Sequence, residues 1–584
     1  MARILITSAL PYINGIKHLG NLAGSMLPAD VYARVKRLEG HEVLYLCATD
    51  EHGTPAELAA AEAGMDVRSY CDEQHALQKR VGEEFGLSWD WFGRSSNPQN
   101  SELTQHFAQV LEDKGLIAES VDEQVYSNAD KRFLPDRYVE GECPVCGFER
   151  ARGDQCDNCG SLLDPVDLKN PRSTISGSTD LEVRKTRHLH LLQSKMEDRL
   201  RDWVAAADGW PSLAKSIAYK WLDEGLKDRA ITRDLDWGVP VLKDGEPREG
   251  FEEKVFYVWF DAPIEYIAAA AEWAEATGGE WERWWRTDKG ADDVSYVQFM
   301  GKDNVAFHAV SFPVTILGSE EPWKTVDRLK AFNWVTWYGG KFSTSNKRGV
   351  FMDQALSLLP ADYWRWYLMA NAPEGSDAAF TWEGFQAAVN SDLANTFGNF
   401  INRITKFANA KYHGIIPHTY KTQNTASAME SAISGDLTVL LQSLQANYDD
   451  MDFRKAASTT REIWSWGNEF LTRYAPWTLI KTDPDSAAEV VKFALNLCRL
   501  FAVIGQPLIP SASKKVLDAL NVNEIDRKWP AVFFNESIVS PNKSIGDELQ
   551  VLQSGHSFSV PPILFAKIED EQIEEWSARF GGGE

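Results

Sequence analysis

Residues 2–21, ARILITSALPYINGIKHLGN, decide how the rest of the chain is read. Arg3 to Ala9 is a short apolar run, centred on Ile4-Leu5-Ile6 and bounded by polar residues, which predicts a buried strand. Asn14-Gly15 marks a turn. His18-Leu19-Gly20-Asn21 then opens an apolar-periodic segment to about Arg37, which predicts a helix. A strand, a loop and a helix N-terminus make an anion site, because unpaired backbone N–H groups and the positive dipole end face the ligand. His18 and Asn21, three residues apart, share one face of the first turn and both can donate hydrogen bonds. Gly20 between them admits close approach of another molecule. By themselves the four residues HLGN also suit a solvent-exposed turn with an incidental histidine.

The chain has 584 residues, enough for about two to four domains with cores of their own. Its 44% hydrophobic and 25% charged content is that of a soluble globular protein. No early segment pairs a basic start with a long apolar run, so no signal peptide is expected. No apolar stretch reaches the roughly eighteen residues needed to span a bilayer, so no membrane partner is expected and a cytoplasmic location is. The formal net charge is −25, from 60 basic and 85 acidic residues. That sign argues against a non-specific DNA or RNA coat protein, whose affinity rests on phosphate neutralisation. It leaves room for a specific binder with a local basic surface.

Further along, Glu42 to Ala48 predicts a second buried strand, giving a βαβ start and a parallel sheet. It ends in Thr49-Asp50-Glu51-His52-Gly53-Thr54-Pro55, so Asp50 and His52 fall beyond a strand's carboxyl end, where such sheets bind ligands. Residues 56–117 read as helical, with breaks near Gly86 and Asn97-Pro98. From about Ser120 to Asp180 short polar segments replace the α/β rhythm. Leu181 to Lys227 reads as mainly helical, and Trp237 to Gly250 carries hairpin signals. The α/β pattern then resumes. Lys254 to Phe260 and Ser295 to Met300 are expected strands, the first followed by Asp261-Ala262-Pro263, the second by Gly301-Lys302-Asp303-Asn304. Leu329 to Thr336 is a further expected strand. Gly339 to Gly349 is a glycine- and serine-rich loop with three basic residues, suited to closing over an anion. From about Thr381 to Leu520 apolar residues recur at helix spacing.

Four of the seven cysteines cluster as Cys143-x2-Cys146, nine residues, Cys156-x2-Cys159, with Gly147 and Gly160 after each pair. Two such knuckles can set four thiolates tetrahedrally about one zinc, at about 2.3 Å each. Four thiolates leave no open position, so the metal is expected to be structural. A reducing cytosol argues against two disulfides, and a redox pair would not need the second knuckle. Cys47, Cys71 and Cys498 are scattered and read as core residues.

Taken together, ITSALPYINGIKHLGN, TDEHGTP, YVWFDAPIEY, FMGKDNVAFH and GGKFSTS occur in this order with a cysteine knuckle inserted. The ordered set closely resembles the methionyl-tRNA synthetase family, class I aminoacyl-tRNA synthetases, in a four-cysteine single-knuckle form. The resemblance is clear from Ile4 to about Trp477. It implies an α/β fold: a Rossmann-like parallel nucleotide-binding domain at 1–117 and 228–325, interrupted by a zinc-knuckle connective domain at 118–227. A stem-contact region at 326–385, with a KMSKS-like loop at 341–345, and an all-α anticodon-binding domain with a C-terminal tail at 386–584 would follow.

The resemblance also implies a reaction. L-methionine and ATP, with Mg2+, would give methionyl-adenylate and pyrophosphate, and the methionyl group would pass to tRNA(Met). His18, Gly20 and Asn21 stand in the family's HIGH motif, Asn21 replacing its last histidine with a neutral donor. Gly301 and Asp303 match the pair at the ATP ribose. Lys341, Ser343 and Thr344 stand in the KMSKS position, and Thr344 replaces the second lysine. Lys341 should remain on the phosphates, with Lys347 or Arg348 reaching the same anion. Methionine should meet Leu10, Tyr12, Trp259, Ala262, Pro263, Tyr266, Phe307 and His308, with Asp50 on its ammonium; a thioether is soft and favourable against aromatic edges. Asn395, Asn399 and Arg403, four residues apart, match the anticodon-reading helix face, and Trp477 its stacking tryptophan. No insertion is large enough for a separate editing domain, and no C-terminal oligomerisation domain is recognisable, so a monomer is expected.

Two other readings are compatible with parts of this pattern. One is a class I synthetase for another small apolar amino acid, against which the missing editing insertion argues. The other is an inactive RNA-binding relative, suggested by Thr344 alone.

Overall fold

The structure, a computed structural model, describes residues 2–156, 158–159, 161, 163–342, 348–419, 436–530 and 545–581. Five strands form one sheet: β1 (Arg3–Ser8), β2 (Glu42–Thr49), β3 (Trp91–Arg94), β4 (Val294–Gly301) and β5 (Arg328–Phe332). Their order is β5-β4-β1-β2-β3 and every pairing is parallel. In β1 every residue but Arg3 is buried, as expected of a parallel strand covered on both faces. The chain builds outward from β1 to β3, then returns to lay β4 and β5 on the other side. Strand order therefore reverses between β1 and β4, and a crevice opens beyond their carboxyl ends. The segments after Ser8 and Gly301 leave the sheet there.

The helical run after His18 starts at Leu19–Asn21, widens into a π-turn at Leu22–Met26 and resumes over Leu27–Leu38. Pro28 accounts for the widening, since it has no N–H to donate and its ring crowds the preceding turn. The π-turn Phe307–Ser311 precedes Pro313 in the same way. Such turns concentrate at functional sites because they re-aim side chains without ending the helix.

Four expectations of secondary structure are corrected. Leu181–Leu191 is a strand, not helix, paired along its whole length with Ile117–Ser127. This eleven-residue ladder overrides a charged sequence with only Val183 and Thr186 as β-branched residues, because partner contacts decide strand formation more than propensity does. Helix begins only at Glu197–Ala206 and Ser212–Asp223. In the expected strand 254–260 only Val255–Phe256 is extended, and Val258–Asp261 is a helical turn. A short apolar run is ambiguous between the two on pattern alone. The expected helical region 56–117 contains the edge strand β3. Leu329 to Thr336 divides into β5 and Val335–Trp337, which lies in another sheet between Gly340–Lys341 and Ala378–Phe380.

Between β3 and β4 the chain builds a four-stranded antiparallel sheet on the Ile117–Ser127 ladder and a three-stranded sheet, Ala151–Arg152, Val139–Glu142 and Lys169–Ser173, beside the cysteines. After Phe380 the described residues are mainly helical, including Val389–Gly398, Asn399–Tyr412, Phe453–Tyr474 and Pro484–Gly505. One apolar core runs from Ile4 and Ile6 of β1 through Trp364 and Trp366 to Trp464 and Leu500. Inside it Arg365, with no exposure, donates to Asp30 at 2.6 Å and to the Pro507 carbonyl at 2.7 Å. Asp30 lies on the helix that His18 opens.

Candidate active site

The extended backbone of His18 caps the helix, and its Nδ1 accepts from the Asn21 backbone N–H at 3.2 Å. Nδ1 therefore carries no proton, and the neutral ring holds its proton on Nε2. Burial, then the nearby Lys17 ammonium, pushes the His18 pKa down to about 3, so the ring stays neutral at physiological pH. A Cβ on Gly20 would lie 3.0 Å from His18 Nδ1, so glycine lets the ring fold back over its own turn. Asn21 is exposed.

Gly301 ends β4, and a Cβ there would lie 2.6 Å from Asp303 Oδ1; the carboxylate folds over the glycine. Trp334, which the sequence does not single out, donates from Nε1 to Asp303 Oδ1 at 3.4 Å. Its ring also carries two ammonium groups, Lys302 at 4.3 Å and Lys341 at 4.8 Å from the centroid. Lys341 also donates to the Asn158 carbonyl at 3.3 Å. Arg348 is turned away, donating to the Trp337 carbonyl at 3.4 Å. Ser343, Thr344 and Lys347 lie outside the described residues.

The loops after β1 and β2 are sewn together: Asp50 N–H donates to the Pro11 carbonyl and Ile13 N–H to the Asp50 carbonyl, both at 2.9 Å. This brings Tyr12 beside Asp50. Asp50 is 6% exposed, and its Oδ1 has no partner among the described residues. Burial, then the neighbouring Asp261 and Glu51 carboxylates, raises its pKa well above the usual range. The Tyr266 hydroxyl meets His308 Nε2 at 2.8 Å, and His308 Nδ1 faces the Asn304 carbonyl at 2.8 Å. A carbonyl can only accept, so Nδ1 is protonated and Nε2 accepts from tyrosine. Burial pushes the His308 pKa down to about 4 and fixes this neutral form.

Trp259 and Phe307 pack with ring centres 4.5 Å apart. With Pro263 they line a cavity of about 450 Å³ that extends to Tyr257, Arg233 and Asp136. Leu10, Tyr12, Asp50, Ala262, Tyr266 and His308 are not part of that lining. A further buried pair, His52 Nδ1 to Asp261 Oδ2 at 2.7 Å, ties the loop after β2 to the turn bearing Ala262 and Pro263. The sequence placed His52 near the chemistry. The acidic residue inside the apolar run FDAP was the available signal for its partner.

The remaining expected residues fall into two separate groups. Asn395 and Asn399 are exposed on one helical run, and the Arg403 guanidinium sits 4.6 Å over the Trp477 ring. Trp477 is half-buried against the core, with the Phe407 ring edge-on at 6.2 Å. In the cysteine cluster, Cys143 and Cys159 sulfurs are 3.9 Å apart and those of Cys146 and Cys156 3.7 Å. A tetrahedron of sulfurs about 2.3 Å from a zinc ion has edges of about 3.8 Å, so the donor set fits that metal. Asn158 Nδ2 approaches Cys146 Sγ at 3.6 Å as a support from outside the ligand set.

Comparison with known proteins agrees over the whole chain. The family described as tRNA synthetases class I (M) matches residues 4–405, and the anticodon binding domain of methionyl tRNA ligase matches 421–584. A methionine–tRNA ligase of Maricaulis maris is 68% identical over 582 residues, covering all of this chain and 99% of that protein. One of Caulobacter vibrioides is 65% identical over 585 residues, covering both chains completely. A methionyl-tRNA synthetase structure from Mycobacterium tuberculosis, bound by methionyl-adenylate, has the same fold, with a TM-score of 0.75 at 22% identity over 97% of this chain and all of that one. With matches that run its full length and a parallel sheet whose crevice carries the HLGN turn, the chain belongs to the methionyl-tRNA synthetase family of class I tRNA synthetases.

Proposed function

We propose that this chain activates L-methionine with ATP and transfers the methionyl group to the 3′-terminal adenosine of tRNA(Met). The observation that carries this reading is Asp50: a buried carboxylate oxygen without a hydrogen-bond partner among the described residues, just beyond the end of β2. An isolated buried carboxylate is unfavourable, and a substrate ammonium relieves it. The aromatic residues Trp259, Tyr266 and Phe307, with Leu10, Tyr12, Ala262, Pro263 and His308, then take the thioether arm. A methylene difference supplies only about 1–3 kcal/mol of discrimination, so shape must reject leucine and isoleucine.

The substrate carboxylate is itself the nucleophile. One of its oxygens bonds to the α-phosphorus as the bond to the pyrophosphate oxygen breaks, and no proton moves. The protein's task is positioning and stabilising charge. His18 Nε2–H, the Asn21 amide and Lys341 serve the phosphates, and Gly301 with Asp303 the ribose. Magnesium accompanies ATP as a counter-charge to its phosphates. The four cysteines hold one structural zinc. Asn395, Asn399, Arg403 and Trp477 read the anticodon by hydrogen bonding and stacking. In this reading residues 1–117 and 228–325 are the catalytic domain, 118–227 the connective insertion, 326–385 the stem-contact region and 386–584 the anticodon domain, in a cytoplasmic monomer.

The test is amino-acid-dependent ATP–pyrophosphate exchange with each of the twenty amino acids. Exchange with methionine alone is expected. Exchange with leucine, isoleucine or valine would point to a different class I synthetase, and tRNA binding without exchange to an inactive relative.

A further inference from the structure

We infer that Phe342 is a positioning residue for His18, clamping its imidazole so that Nε2–H points into the crevice. The inference rests on the reading of His18 as a phosphate donor. The two rings stack with centres 4.8 Å apart and planes 23° from parallel. Phe351 meets the imidazole edge-on at 6.3 Å and 74°. These two phenylalanines flank the segment 343–347, one just before it and one just after. The chain beyond that segment is stitched to the HLGN turn by two backbone bonds: Leu19 N–H to the Val350 carbonyl at 3.1 Å and Met352 N–H to the Lys17 carbonyl at 2.9 Å.

Two glycines make room for the Phe342 ring. A Cβ on Gly20 would touch its Cδ2 at 3.4 Å, and one on Gly349, at φ +101°, would overlap its Cδ1 at 2.2 Å. From behind, Trp337 packs edge-on against Phe342 at 5.6 Å and lies flat on buried Phe380 at 5.0 Å. The ring is thus held between a fixed aromatic platform and the imidazole. The cap bond through Nδ1 fixes one edge of His18, and the stack fixes its plane. Together they define the direction of Nε2–H before ATP arrives, which removes an orientational penalty from the chemical step.

Pyrophosphate exchange on the whole protein, with kinetic constants for both substrates, tests this. Phe342→Ala is expected to lower the exchange rate at saturating substrates by about 10- to 100-fold, with KM for methionine changed by less than about twofold. Phe342→Tyr, which keeps the ring, should retain most of the rate. Gly349→Ala displaces the ring without removing it and should act like Phe342→Ala. A purely structural role for the ring would also lower the rate, so the deciding measurement is a double-mutant cycle. Adding Phe342→Ala to His18→Asn should change the rate by less than about twofold, because the group being aimed is already gone. Equal losses in the two backgrounds, or an effect confined to KM for ATP, would overturn the inference. Should Gly349→Ala not fold, the cycle alone decides. Absence of methionine-dependent exchange in the unaltered protein would instead remove the reading on which it rests.

Discussion

At the scale of single residues, Asp50 shows function held against stability. Its Oδ1 is buried without a hydrogen-bond partner among the described residues, and its pKa is raised by burial and by Asp261 and Glu51. Asp50→Asn should raise KM for methionine by about 100-fold or more, the consequence of removing one partner of a buried charge pair. The same change should raise the thermal midpoint of the free protein, since it removes a buried carboxyl crowded by Asp261 and Glu51; differential scanning fluorimetry reads this. The pH dependence has a definite sign. An ammonium ligand favours ionised Asp50, while the free protein holds the group at a raised pKa. Methionine affinity is therefore full above that raised pKa and declines as pH falls through it. Titration calorimetry at several pH values should show weaker binding and more proton release toward acid. His18 contributes no limb near its ordinary pKa, because burial holds it neutral down to about 3.

Among elements, the cysteine knuckle reaches beyond its own sheet. Asn158 supports Cys146 through its side chain and receives Lys341 on its carbonyl. Stripping metal with a chelator, or Cys146→Ser, should release one zinc per chain and open the segment 143–161 to hydrogen exchange. The methionine-dependent exchange rate should fall as well, because Lys341 loses an anchor, while the parallel sheet keeps its protection. A rate unchanged after metal loss would show that the Lys341 contact has no bearing on activation. The π-turns just before Pro28 and Pro313 are a second example at this scale. Pro28 and Pro313 are plain in the sequence, yet whether a proline kinks, ends or widens a helix depends on what packs around it.

For the molecule as a whole, Arg365 is the residue that joins its parts. It lies in the helix Ala361–Ala370 and binds Asp30 on the His18 helix, the Phe85 and Gly86 carbonyls, and the Pro507 and Leu508 carbonyls of the helical region. Arg365→Met should destabilise by about 3–5 kcal/mol, the usual consequence of leaving one member of a buried pair without the other. Hydrogen exchange should report loss of protection at both 85–86 and 508–509. The aminoacylation rate should fall more than the exchange rate, since only the former needs the two ends of the molecule held in register.

The sequence by itself determined four of the five strands of the parallel sheet, the HLGN turn and the four-cysteine knuckle, but not the edge strand β3. These are local: a buried strand is continuously apolar, a helix start needs a cap, and a metal site needs thiolates at short spacing. Asp50 was legible for a similar reason, as an acid just past a strand end. Only the tertiary structure decided that Leu181–Leu191 is a strand, because its partner lies some sixty residues earlier and no pattern within the stretch encodes the pairing. Trp334, the His52–Asp261 tie and the Phe342 ring over His18 were equally beyond the sequence. Each takes its meaning from a neighbour brought by a different loop, and such contacts are set by packing rather than by the residues on either side. The HLGN turn was thus readable as an anion site from twenty residues, whereas the aim of its histidine is fixed by a ring more than three hundred residues away.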